Sequence, residues 1–356
     1  MNAKTKELYE LGQSIWVDNI TRQMLDKGIL STYVHELSVT GLTSNPSIFD
    51  HAISGTDDYN HSIKEMNHNN ISDEDLFFEL AIDDIRRAAD IFKPVFEITN
   101  GLDGFVSIEV SPRLAFDTQK TIEAARTIYK KVNRPNVLVK IPGTREGIPA
   151  IEQAIAEGIS INVTLLFSAD QYRAAAEAWA RGIEKRIAEG KSADVRSVAS
   201  VFVSRWDKAV ADKLPDKLQN QLGITVMQET YQAYKEMLLS KSVQKIMNFG
   251  GSPQRLLWAS TSTKDPNASD ILYVKSLAVP FTVNTIPEKT LHAFADHGEI
   301  DSVLDVETSK IQEKFQAFKK EGIDIKQLAE ELQQQGAQSF VNDWEELMKS
   351  IENKRK

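Results

Sequence analysis

Short apolar runs rich in Val, Ile and Leu recur along the chain and alternate with stretches of helical periodicity. Such runs fit strands that are covered on both faces. Eight can be marked: Ser14–Asp18, Val39–Thr43, Gly104–Val110, Asn136–Thr144, Ile159–Thr164, Val198–Val203, Leu256–Ser260 and Val279–Thr285. The last is the weakest, because Pro280 removes a ladder donor. Between them, Thr118–Lys131, Ala169–Ala188 and Met227–Leu239 carry apolar residues at helical spacing. Strands that alternate with helices pair in parallel through crossover units. Eight such units predict an α/β fold, a closed (β/α)8 TIM barrel, with residues 1–356 as one domain. The rival, an open doubly wound sheet, would place a Gly-rich phosphate loop after its first strand, and the sequence has none there.

Two regions exceed a minimal barrel. Phe49–Phe96 is an insertion between strands 2 and 3. It contains a polar loop, His68-Asn69-Asn70, and then Ser72-Asp73-Glu74-Asp75, a serine N-cap followed by acidic residues suited to a helix N-terminus. Residues 300–356 follow the last strand and predict additional C-terminal helices packed on the barrel; they are charged and Gln-rich at Gln333-Gln334-Gln335. Two readings of this tail stand. Its helices simply cover the barrel, or one lies over the mouth and brings Phe340 or Trp344 there. The basic end Asn353–Lys356 predicts a frayed terminus.

Composition narrows the function classes. With 42 basic and 51 acidic residues the formal charge is −9, which argues against a nucleic-acid partner. The absence of cysteine excludes disulfides, thiolate metal sites and cysteine nucleophiles. A polar N-terminus without an apolar core segment, and no apolar run of membrane-spanning length, lead us to expect a cytoplasmic protein without a membrane partner. His35, His51, His61, His68, His292 and His297 form no metal-ligand spacing, so no metal is expected. Gly143-Thr144-Arg145-Glu146-Gly147 lacks the ending of a nucleotide-phosphate loop and reads as a turn into a helix.

In such a barrel the reactive face is built from the C-terminal strand ends and the loops after them. Polar residues collect there: Asp18, Asn45, Glu109, Lys140, Asn162, Thr164, Ser200, Arg205 and Ser260–Lys264. Lys140 stands out, since a charged amine sits near the C-terminal end of an otherwise apolar strand. Burial disfavours an ammonium, and a neutral amine attacks carbonyls to form a Schiff base. Around it, Glu109 would shuttle protons through water, and Asp18 would exchange the proton of a substrate hydroxyl. Asn45, Asn162 and Ser200 would hold sugar hydroxyls, Phe202 would wall the pocket, and Arg205 and Lys264 would clamp a phosphate. Blander readings accompany these. Asn45 precedes Pro46 and suits a turn, Ser200 and Thr164 suit a layered core, and Arg205 could pair with Asp207.

At these residues the chain resembles the transaldolases, in their longer bacterial form. The resemblance lies in Trp16–Arg22, Gly41–Phe49, Val106–Val110, Val137–Pro142, Gly158–Ser168, Ser200–Arg205 and Trp258–Lys264, in order along most of the sequence. It implies a (β/α)8 barrel with no metal or organic cofactor, acting on sugar phosphates in the pentose phosphate pathway as a monomer or homodimer. It implies transfer of a dihydroxyacetone unit from sedoheptulose 7-phosphate or fructose 6-phosphate to glyceraldehyde 3-phosphate or erythrose 4-phosphate. It places the Schiff-base lysine at Lys140, the acid/base for the carbon–carbon bond at Asp18, and a water-handling pair at Glu109 and Thr164. Asn45, Asn162 and Ser200 match hydroxyl contacts, and Arg205 matches a phosphate contact. Where many members carry a second phosphate-binding arginine, this chain has Ser262-Thr263-Lys264, and Lys264 is taken as the substitute. An aldolase that releases dihydroxyacetone, a non-catalytic sugar-phosphate-binding barrel and a pyridoxal-phosphate enzyme are the competing readings.

Overall fold

A computed structural model describes residues 1–67 and 71–356; the expected polar loop at His68-Asn69-Asn70 lies outside them. Eight strands pair in sequence order and close into a barrel: β1 (Gln13–Val17), β2 (Val39–Thr43), β3 (Val106–Glu109), β4 (Val137–Pro142), β5 (Ile161–Leu166), β6 (Ser197–Phe202), β7 (Arg255–Ala259) and β8 (Thr282–Ile286). Every neighbouring pair is parallel, including β8 with β1. Every strand residue is buried, as the run of Val, Ile and Leu requires of strands packed between barrel interior and helical shell.

All eight expected strands form, with shifted edges. β8 begins at Thr282 rather than Val279, because Pro280 has no N–H and Phe281 lies in the left-handed region at φ 61°. β3 begins after Gly104, whose φ is +85°. A Cβ there would fall 2.4 Å from the Phe96 nitrogen, so the chain passes this point only as glycine. The helix expected from Met227 begins at Leu222. Its first amides are satisfied by Asp207, which accepts from Leu222 N at 2.8 Å, a cap from a distant segment that local sequence does not announce.

Among the described residues the insertion forms the helices Pro46–Ser54, Asn60–Met66 and Asp73–Ile98. Ser72 caps the third by accepting from Asp75 N at 3.0 Å. The tail forms Thr308–Lys320 and a long helix, Ile325–Arg355, here called the tail helix. It lies against the insertion: the Trp344 ring meets Phe77 edge-on at 5.1 Å and Phe78 at 5.7 Å. The end expected to fray is tied down. Arg355 bonds the Ile71 carbonyl at 3.0 Å and pairs with Asp73, and Lys354 donates to the Thr56 carbonyl at 2.6 Å. Among the described residues no helix is long and apolar enough to cross a membrane.

Candidate active site

Parallel registry aligns the central residues. Glu109 on β3 lies opposite Lys140 on β4, which lies opposite Asn162 on β5. Lys140 is buried, and its Nζ stands 3.1 Å from Glu109 Oε2 and donates to the Ser44 carbonyl at 3.0 Å. The contact with Glu109 is an ion pair lacking hydrogen-bond direction. Both Glu109 oxygens and the buried Thr164 Oγ1 are without a hydrogen-bond partner among the described residues. Buried polar atoms are rarely left so, and three on the strands flanking Lys140 mark a place built to receive other polar groups. On the opposite wall Asp18 accepts from Thr43 Oγ1 at 2.7 Å. Burial raises the Asp18 carboxyl above its ordinary range, against the pull of Lys140, the Thr43 bond and Lys264. Burial also raises Glu109, again opposed by Lys140, with the Asp18 charge adding to the rise.

A cavity of about 200 Å³ opens above these groups. Asp18, Asn45, Lys140, Thr164, Ser200, Phe202, Arg205 and Lys264 all line it. Glu109 sits behind Lys140 rather than on the wall. Asn162 does not reach it and is fully buried, donating to Ser107 Oγ at 3.1 Å and accepting from Ser200 Oγ at 2.7 Å. It thus bridges β3 to β6 inside the barrel. Asn45 has both characters: its Oδ1 caps the helix Pro46–Ser54 through Ile48 N at 3.0 Å, and its side chain borders the cavity. Leu165, directly after Thr164, is left-handed at φ 58°, a conformation costing a non-glycine residue about 1 kcal/mol.

Arg205 does not pair with Asp207, whose oxygens are taken by Leu222 N, Gly223 N and the Tyr273 hydroxyl. Its guanidinium lies instead over Phe202 at 5.5 Å and Phe340 at 5.9 Å. Burial lowers its affinity for its proton and the Asp343 carboxylate opposes this, yet the two form no ion pair within 4 Å. Lys264 donates to Ser262 Oγ at 2.5 Å and is pushed below the usual lysine range by burial, then by Lys208 and Arg205. Arg205, Lys208 and Lys264 share the lining of an adjoining cavity of about 480 Å³. Among the described residues none of the three has a carboxylate partner, in a chain of net charge −9. The arrangement suits a phosphate dianion.

Phe340 reaches the cavity, 6.0 Å from Lys140 Nζ, whereas Trp344 stays in the packing between tail and insertion. Sequence reasoning missed Lys208, Asp343 and Gln333. Lys208 is three residues from Arg205 on the helix Ser204–Val210, and Asp343 three from Phe340, so helical spacing was the available signal. A further cavity, of about 490 Å³, borders Phe78, Ile82, Arg113 and Met348, and none of the polar strand-end residues named above lines it.

Comparison with known proteins agrees with this geometry. The family model described as transaldolase/fructose-6-phosphate aldolase matches residues 15–351. A protein named transaldolase 2 from a Nostoc species is 42% identical over 98% of this chain and 97% of its own. Transaldolases from Saccharopolyspora erythraea and Thermobifida fusca are each 40% identical, covering 98% and 99% of this chain and 97% and 98% of their own. With the likeness running through the barrel and into the tail helix that completes the site, the chain belongs to the transaldolase/fructose-6-phosphate aldolase family of enzymes.

Proposed function

We propose that this enzyme transfers a dihydroxyacetone unit between sugar phosphates through a Schiff base on Lys140, with sedoheptulose 7-phosphate or fructose 6-phosphate as donor and glyceraldehyde 3-phosphate or erythrose 4-phosphate as acceptor. The observation that carries the reading is the buried Lys140–Glu109 pair facing Asp18 across a cavity rimmed by cations that have no carboxylate partner among the described residues. A proton moves from the Lys140 ammonium to the Glu109 carboxylate, which burial already inclines to hold one. The free amine attacks the ketose carbonyl carbon. Glu109, with Thr164 orienting the water, returns the proton as the hydroxyl leaves, giving an iminium and water.

Asp18 then takes the proton of the C4 hydroxyl. The C3–C4 bond breaks, its electron pair moves into the iminium to form an enamine, and the aldose phosphate departs. An incoming aldose phosphate reverses the step: the enamine carbon attacks the aldehyde, Asp18 returns its proton to the new hydroxyl, and hydrolysis frees Lys140. Arg205, Lys264 and Lys208 would hold the phosphate of either sugar, while Asn45 and Ser200 would meet hydroxyls. Phe202 and Phe340 exclude water from the iminium. Borohydride trapping with fructose 6-phosphate and no acceptor tests this. A reduced three-carbon adduct should map to Lys140 and vanish in Lys140→Met. Stoichiometric free dihydroxyacetone made without acceptor would instead make the enzyme an aldolase, and no adduct at all would overturn the Schiff base.

A further inference from the structure

The run Gln333-Gln334-Gln335 divides on folding: Gln333 is half-buried beneath the tail helix, while Gln334 and Gln335 are exposed. Gln333 Nε2 uses both its hydrogens, donating to the Gly143 carbonyl at 3.0 Å and the Leu165 carbonyl at 2.9 Å. These carbonyls stand at the reactive ends of two adjacent strands, Gly143 just past β4 and Leu165 within the last residues of β5. Gly143 N makes the outermost β4–β5 bond, to the Thr164 carbonyl at 2.7 Å. On the other edge of β5 the register slips: Val163 faces Ala199 but Leu166 faces Val201, so β5 spends one extra residue there. Thr164 and the left-handed Leu165 form this bulge. Bulges re-aim side chains and leave local backbone groups unpaired. One helical turn on, a Cβ at Gly336 would stand 3.0 Å from Leu165 Cδ2 and 3.1 Å from Arg205 Nη1, so the tail helix backbone presses directly on the bulge.

We propose that Gln333 is a positioning residue: its carboxamide locks the β5 bulge and thereby fixes Thr164 relative to Lys140. An amide is suited to this, since it offers two hydrogens in one plane to two carbonyls, whereas a carboxylate there would face both carbonyls as an acceptor. The tail helix therefore serves the reaction through backbone geometry as well as through Phe340.

The proposal rests on the Schiff-base reading for its kinetic test, and a double-mutant cycle gives that test. Gln333→Met keeps the bulk and removes the donors. It should slow adduct trapping with fructose 6-phosphate about tenfold, yet less than twofold when introduced into Thr164→Val, because coupled residues are non-additive. Affinity for inorganic phosphate, read by calorimetry, should change less than twofold, and Gln333→Lys, which keeps a donor, should recover most of the rate. Hydrogen exchange supplies a readout independent of the chemistry: amides of residues 161–167 should exchange faster in Gln333→Met. Equal slowing in both backgrounds, or unchanged exchange, would overturn the proposal. Faster exchange in a protein whose wild type forms no adduct would uphold the bulge lock while rejecting the Schiff base.

Discussion

Burial of Asp18 disfavours its charge more than Lys140 and Thr43 favour it. Burial raises its carboxyl, so the folded protein holds that proton more tightly than the unfolded chain does. The stability this group contributes is therefore full below the ordinary carboxylate range and is lost as pH rises through the raised value. Asp18→Asn keeps an oxygen for the Thr43 bond and removes the charge. We expect it to raise Tm by roughly 1–3 °C at pH 7–8, with the gain gone near pH 4, while transfer activity collapses. Thermal melts across that pH range check this; a gain that persists in acid would contradict it. Glu109→Gln should not share the gain, because it leaves the Lys140 ammonium buried opposite a neutral group. Lys208 is the other residue to test. It lies beyond the inner cavity but shares the adjoining one with Arg205 and Lys264, so Lys208→Met should raise KM for phosphorylated sugars about threefold to tenfold with kcat held. Initial-rate kinetics, with an unphosphorylated ketose as control, would show whether the effect follows the phosphate.

The tail helix joins two tasks on one element. Gln333, Gly336, Phe340 and Asp343 recur at spacings of three and four, so a single face meets the strand ends, Arg205 and the cavity. Trp344 lies beside that face and packs between Phe77 and Phe78. Such aromatic burial holds the helix on the insertion, and the insertion helix Pro46–Ser54 in turn starts from Asn45 at the cavity edge. Trp344→Ala should cost about 3–5 kcal/mol in urea unfolding. If the tail detaches before the barrel unfolds, fluorescence from the barrel tryptophans and far-ultraviolet dichroism will not coincide. Phe340→Ala should weaken substrate binding and also lower the unfolding midpoint, since its ring borders the cavity yet is buried against Phe202.

At the scale of the molecule, the strands were legible because their two-sided burial demands continuous apolar runs, and the barrel followed because eight parallel units close only in a few ways. Strand ends were legible for the same reason: a polar residue finishing an apolar run must reach the one face where the barrel admits it. That placed Lys140, Asp18, Thr164, Ser200 and Arg205 around one cavity without knowledge of any angle. Asn162 stands level with Lys140 yet does not reach the cavity, because its short side chain is held by Ser107 and Ser200 from other strands, partners that residue type does not encode. Asp207 went to a helix cap and not to Arg205, since its partners come from Leu222 and Tyr273, distant in sequence. Phe340 and Trp344 were indistinguishable as apolar positions of one helix, and only docking against the insertion sent one to the mouth and the other to the core. The sequence by itself thus determined the elements, their order and the chemical groups available, because local pattern and burial act along the chain. The tertiary structure alone decided which groups pair, which remain unpaired and how the tail completes the site, because those outcomes depend on distances between segments that only folding brings together.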